Sequence, residues 1–119
     1  MPFAIKRIYD DTHPDDGQRV LVDRLWPRGV AKTAAHLALW LKEIAPTPDL
    51  RKWFGHDPKR WSGFCERYIA ELRDNPEPVQ QLLDLARHDT VTLLYAAKDP
   101  QHNHALALKH YLDSLPTQR

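Results

Sequence analysis

The chain has 119 residues, 42% hydrophobic and 28% charged, with a net charge of +1. That is the make-up of one soluble globular domain, and no apolar run approaches the ~18 residues needed to cross a bilayer. A single cysteine, Cys65, excludes an internal disulfide; with no basic-then-apolar leader order, it points to a reducing cytoplasm.

In chain order, Phe3–Tyr9 reads as the first strand and Arg19–Leu25 as the second. The second runs from Val20-Leu21-Val22 straight into Asp23, Arg24, Trp26, Pro27, Arg28 and Gly29. The link from Tyr9 to Arg19 is shorter than the roughly dozen residues of a parallel crossover, so an antiparallel pairing of these two strands is expected. Leu37–Ile44 alternates its leucines and reads better as a strand than as a helix. Ten prolines punctuate the rest. Thr47-Pro48, Asp57-Pro58, Asn75-Pro76 and Asp99-Pro100 each set a capping residue before a proline at the first helical position. After Asp57, the spacing of Trp61, Phe64, Cys65, Tyr68 and Leu72 makes one apolar helical stripe. Val79, Leu82, Leu83 and Ala86 mark the next helix, and Ala105, Leu108, Leu112 and Leu115 the last. Between them Thr90–Tyr95 is a third strand. Strands interleaved with helices predict a single α/β layered domain, with a small, mostly parallel sheet flanked by helices.

Two of these strands end in charged groups, and the carboxyl ends of strands are where open α/β sheets bind ligands. At the first end, Asp23 and Arg24 should point to opposite faces of the strand. Arg28, on a turn with Pro27 and Gly29, suits a bidentate anion contact or is a plain surface arginine. At the second end, Lys98, Asp99, His102 and Asn103 lie at an expected helix start. A helix starting at Asp99 would put His102 in its first turn, where the dipole favours neutral imidazole, and turn His104 away from it. Trp26 and Trp53 either pack in the core or wall a flat ligand, whereas Trp61 and Cys65 belong to a core stripe. The His spacing and the lone cysteine exclude a zinc site, and no cofactor fingerprint is present. Residues 19–73 carry 11 Lys/Arg against 6 Asp/Glu, an excess that suits an anionic partner or a solvated surface.

Several ordered blocks carry a wider likeness: RVLVDRLWPRG at 19–29, the W-L-K-E-x-A-P pattern at 40–46, L-R-K-W-F-x-H-D-P at 50–58, VTLLYAAKD at 91–99 and HNHA at 102–105. Together they resemble the domain-of-unknown-function family 488 (DUF488), in its compact YeaO-like branch. The resemblance implies a small α/β cytoplasmic bacterial protein and no settled activity. Tyr95, Ala97, Asn103 and Ala105 stand where the wider family has Cys, Glu, Cys and Arg.

The functional expectation is an anion-binding pocket above the strand ends. As a hydrolase or transferase on a nucleotide-like or phosphorylated substrate, the protein would use Arg28 and Lys98 to bind the anion. Arg24, Asn103 and Trp26 would complete the pocket, and His102 with Asp23 or Asp99 would move the proton. The alternatives are nucleic-acid binding through Arg24, Arg28, Arg51, Lys52, Lys59 and Arg60, or a non-catalytic partner-binding module. No metal, cofactor or membrane enters any of these readings, and the oligomeric state is left open.

Overall fold

A computed structural model describes residues 3–115. Its sheet has four parallel strands in the order β1-β4-β2-β3: β1 (Phe3–Arg7), β2 (Gln18–Leu21), β3 (Leu39–Trp40) and β4 (Val91–Tyr95). All five residues of β4 are buried. An unbroken Val-Thr-Leu-Leu-Tyr run suits this central place, because a parallel strand covered on both faces has no solvent side to alternate with. The class agrees with the α/β expectation.

The antiparallel pairing of the first two strands does not form. β4 lies between them and is parallel to both, with Phe3 and Gln18 each in register with Val91. The short link avoids a helix by running over β4 as a 3-10 turn (Pro14–Asp16), whose Asp16 carbonyl accepts from Thr92 Oγ1 at 2.7 Å. Gly17, at φ 61°, then returns the chain to the sheet, and Gln18 N donates to Thr90 O at 2.8 Å. A Cβ on Gly17 would sit 2.3 Å from Thr90 O, so this crossover requires glycine.

The sheet separates two apolar layers. On one face, Phe3, Val20, Val91, Leu93 and Tyr95 pack with the helices α2 (Pro48–Phe54), α3 (Trp61–Arg73), α4 (Pro76–Ala86) and α5 (His104–Ser114). On the other, Leu21 and Leu94 meet Ile8 and Ala35 beneath Trp26, Val30, Leu37 and Trp40. That thinner cover comes from residues 22–38, which include only one short helix, α1 (Lys32–Ala35).

Two of the four expected capping sites act as their sequence suggests. Thr47 Oγ1 accepts from Leu50 N at the start of α2, and Asp57 caps a 3-10 turn (Pro58–Arg60) that leads into α3. Asn75 precedes α4 but spends its amide on Glu43 O at 2.9 Å instead of capping. Asp99-Pro100 starts no helix. α5 begins later, at His104, with Asn103 Oδ1 accepting from Leu106 N at 2.8 Å, so His102 lies before the helix and not in its first turn. Leu37–Ile44 is also only partly a strand: Leu39–Trp40 pairs with β2, and Lys42–Ile44 closes as a 3-10 turn. No helix among the described residues is long and apolar enough to cross a membrane.

Candidate functional site

β2 and β4 are neighbours, yet the chain leaves them toward opposite faces. After β2 it enters the 22–38 cover, and after β4 it enters α5 on the helical face. Such divergence opens a crevice at the carboxyl ends of adjacent strands. The crevice here is a cavity of about 740 Å³, within the range of small-molecule sites. Its walls are the β2 exit (Asp23, Arg24, Leu25), α2 with the loop after it (Arg51, Lys52, Phe54, His56), and the segment from Ala96 to His104.

Asp23 ties the crevice together. Its Oδ2 accepts from Ala96 N at 3.0 Å, locking the β2 exit to the β4 exit. Its Oδ1 lies 3.0 Å from His104 Nε2, but that nitrogen is directed at Val22 O, 3.1 Å away. Oδ1 therefore gains a close polar contact and no well-aimed hydrogen bond. Arg24 turns toward the β3–α2 connection, where its Nη2 donates to Ala45 O at 3.2 Å. β2 ends at Leu21, so strand alternation no longer applies to the two residues, and both line the cavity instead of pointing to opposite faces.

On the other wall, His102 Nδ1 lies 2.8 Å from Asp99 Oδ2. The amide of Gln101 and then the His102 ring hold the Asp99 carboxyl below the usual carboxylate range. Asn103 is buried and its amide donates to Asp99 O at 3.0 Å, so it organises the loop while lining the cavity. Aromatic rings back this wall: Trp61 meets the edge of His102 at 5.5 Å, and Phe64 and Phe54 stack beneath it at 4.5 Å.

The crevice thus unites Asp23, Arg24, Lys98, Asp99, His102 and Asn103, which belong to two distant segments of sequence. It excludes two expected members. Arg28 is exposed on a turn whose Gly29 has φ 79°, and among the described residues only its carbonyl is engaged, by the Tyr9 hydroxyl at 2.8 Å. Trp26 packs against Trp40 in the thinner layer and donates its indole proton to Val30 O at 2.7 Å. Trp53 lies outside as well, against the guanidiniums of Arg67 at 4.0 Å and Arg60 at 5.4 Å.

Sequence reasoning missed Arg51, Lys52, His56 and His104 as cavity residues. For His104 the cause is the displaced helix start: as the first residue of α5 it faces Asp23 instead of turning away. For the α2 residues, nothing local tells which wall a helix will form. His56 has one backbone signal, φ 56°, uncommon outside glycine.

Among the described residues, no cluster of His, Cys, Asp or Glu is arranged to hold a metal. Among the described residues, no serine, threonine, tyrosine or cysteine lines the cavity. Cys65 sits half-buried on α3, where burial pushes its thiol pKa up, away from the reactive range.

Comparison with known proteins adds the lineage. The chain is 45% identical to the uncharacterized protein YeaO of Escherichia coli K12 over 97% of its own length and 100% of the relative's. It is 39% identical to uncharacterized proteins of Mycobacterium bovis and Mycobacterium tuberculosis, over 92% of each chain. No solved structure matches it. Residues 2–119 match the family model described as "Inactive DUF488-N3 subclade". By that match and by its YeaO-like relatives, the chain belongs to the DUF488 family.

Proposed function

We propose that the cavity binds a small phosphorylated, nucleotide-like anion without forming a covalent bond to it, in the cytoplasm. The observation that carries this reading is the charge arrangement. Arg24, Arg51, Lys52 and Lys98 reach one crevice from three parts of the chain, and the carboxylates beside them, Asp23 and Asp99, are already engaged by histidines and amides. Arg51, Lys52 and Lys98 form no ion pair among the described residues, so an anion would meet free cations. Charge-assisted hydrogen bonds from such groups contribute about 1.5–3 kcal/mol each. Among the described residues the lining offers no hydroxyl or thiol nucleophile, which agrees with non-covalent binding and with a subclade described as inactive.

A second reading, hydrolysis or group transfer with His102 as general base, draws on its 2.8 Å contact with Asp99. The two readings separate in one experiment. Thermal denaturation with inorganic phosphate, adenosine 5′-monophosphate and glucose 6-phosphate should raise the melting temperature by several degrees at a hundredfold excess over Kd. Chromatography of the same mixtures should recover the ligands unchanged. Absence of any shift rejects the anion site, and product formation replaces binding with catalysis.

A further inference from the structure

Three histidines line the cavity, and they differ in what holds them. The Nδ1 of His102 faces Asp99 Oδ2, so the neutral ring keeps its proton there and leaves a lone pair on Nε2. That nitrogen makes no hydrogen bond among the described residues, and the side chain is 28% exposed. The Nε2 of His104 faces Val22 O and Asp23 Oδ1, so its own proton is already committed. As the first residue of α5, His104 also lies where the positive end of a helix opposes a further charge. Among the described residues, His56 has no carboxylate partner.

The groups that share the cavity with His102 come from several elements. Its own loop supplies Asp99 and Lys98, α3 supplies the Trp61 ring, and α2 with its following loop supplies Arg51, Lys52 and His56. The β2 exit adds Asp23 and Arg24 across the cavity. While the cavity is empty, its four cations outnumber its two carboxylates, Asp99 beside His102 and Asp23 already bonded to Ala96 N. A bound anion reverses the balance: it offsets the cations and offers an acceptor to an Nε2–H, whereas an unprotonated Nε2 would set one lone pair against another.

We propose that anion binding in this cavity is coupled to uptake of one proton from solvent at His102 Nε2, with Asp99 as the positioning residue. The inference rests on reading the cavity as an anion site. It makes the site proton-sensing: occupancy rises as pH falls through the histidine range.

Phenyl sulfate, whose charge is constant across that range, is the probe. Titration calorimetry at pH 6, 7 and 8, in buffers of different ionisation heat, should show affinity falling about tenfold from pH 6 to 8. Proton uptake on binding should accompany it. His102→Gln should flatten the profile to under about twofold, and Asp99→Asn should weaken it in the same direction. The His102 ring proton resonances, followed by NMR, should titrate at higher pH with the probe bound. A flat wild-type profile, or a slope that survives His102→Gln and disappears in His104→Gln, overturns the proton coupling and leaves the anion site standing. No binding at any pH overturns both.

Discussion

Two charged clusters stand on this sheet, and they are built to opposite ends. Beneath the crossover, Asp16 receives Lys6 Nζ at 2.7 Å, Arg19 Nη1 at 2.5 Å and the His13 amide at 3.1 Å, while Arg19 Nε donates to Ala35 O. Asp16 and Arg19 are buried, at 6% and 4% exposure. Every charge there has a partner, so the cluster has nothing to offer a ligand. At the strand ends, Asp23 accepts from Ala96 N and Asp99 faces His102, but among the described residues Arg51, Lys52 and Lys98 form no ion pair. A closed network holds the fold in one arrangement, whereas an open one retains unspent interaction for a partner. The proposed anion site is therefore read from unpaired cations around a cavity and not from buried charge.

Removing the centre of the closed cluster should have the largest effect. Asp16→Ala strands a buried guanidinium, and urea unfolding should report a loss of about 3–5 kcal/mol. A loss below about 1 kcal/mol would show that solvent replaces the carboxylate and that the cluster is not closed. Gly17→Ala forces a Cβ against Thr90 O at a left-handed φ, and should cost about 2–3 kcal/mol by the same measurement.

Acid gives the next effect. Burial raises the pKa of Asp16, but Lys6, the His13 amide and Arg19 outweigh it and hold the carboxyl at about 2, against 3.8 for the free group. A depressed folded value means the stabilisation is fully present above pH 3.8 and is lost as pH falls toward 2. Unfolding curves from pH 5 to pH 2 should decline by about 2 kcal/mol from this group, and Asp16→Asn should remove that part of the decline.

The smallest change in stability belongs to the open cluster. Arg51→Glu with Lys52→Glu should alter unfolding free energy by no more than about 0.5 kcal/mol, yet abolish any melting shift given by phosphorylated ligands. A ligand shift that survives the double change would move the anion contact away from α2.

Much of the layering is readable from residue patterns. The buried run Val91–Tyr95, the stripe on α3 and the Thr47-Pro48 start all follow from period, capping and proline geometry. What could not be read was each quantity set between segments. β4 enters between β1 and β2 because a 3-10 turn and one left-handed glycine shorten the crossover. Asn103 outcompetes Asp99 as the cap of α5, because Asp99 spends its carboxylate on Gln101 N and His102. That shift of the helix start turns His104 into the crevice. Arg28 looked as good an anion ligand as Lys98 by local chemistry, and the Pro27–Gly29 turn sends it to solvent.

The amino-acid sequence alone determined the α/β class, the family, and the presence of polar groups at two strand ends, because hydrophobic period and turn chemistry act within a few residues. Only the tertiary structure decided that α2 supplies Arg51 and Lys52, that His104 meets Asp23, and that Arg28 and Trp26 lie elsewhere. Those outcomes depend on which strands become neighbours and where helices start, and both are resolved by competition among contacts far apart in the chain.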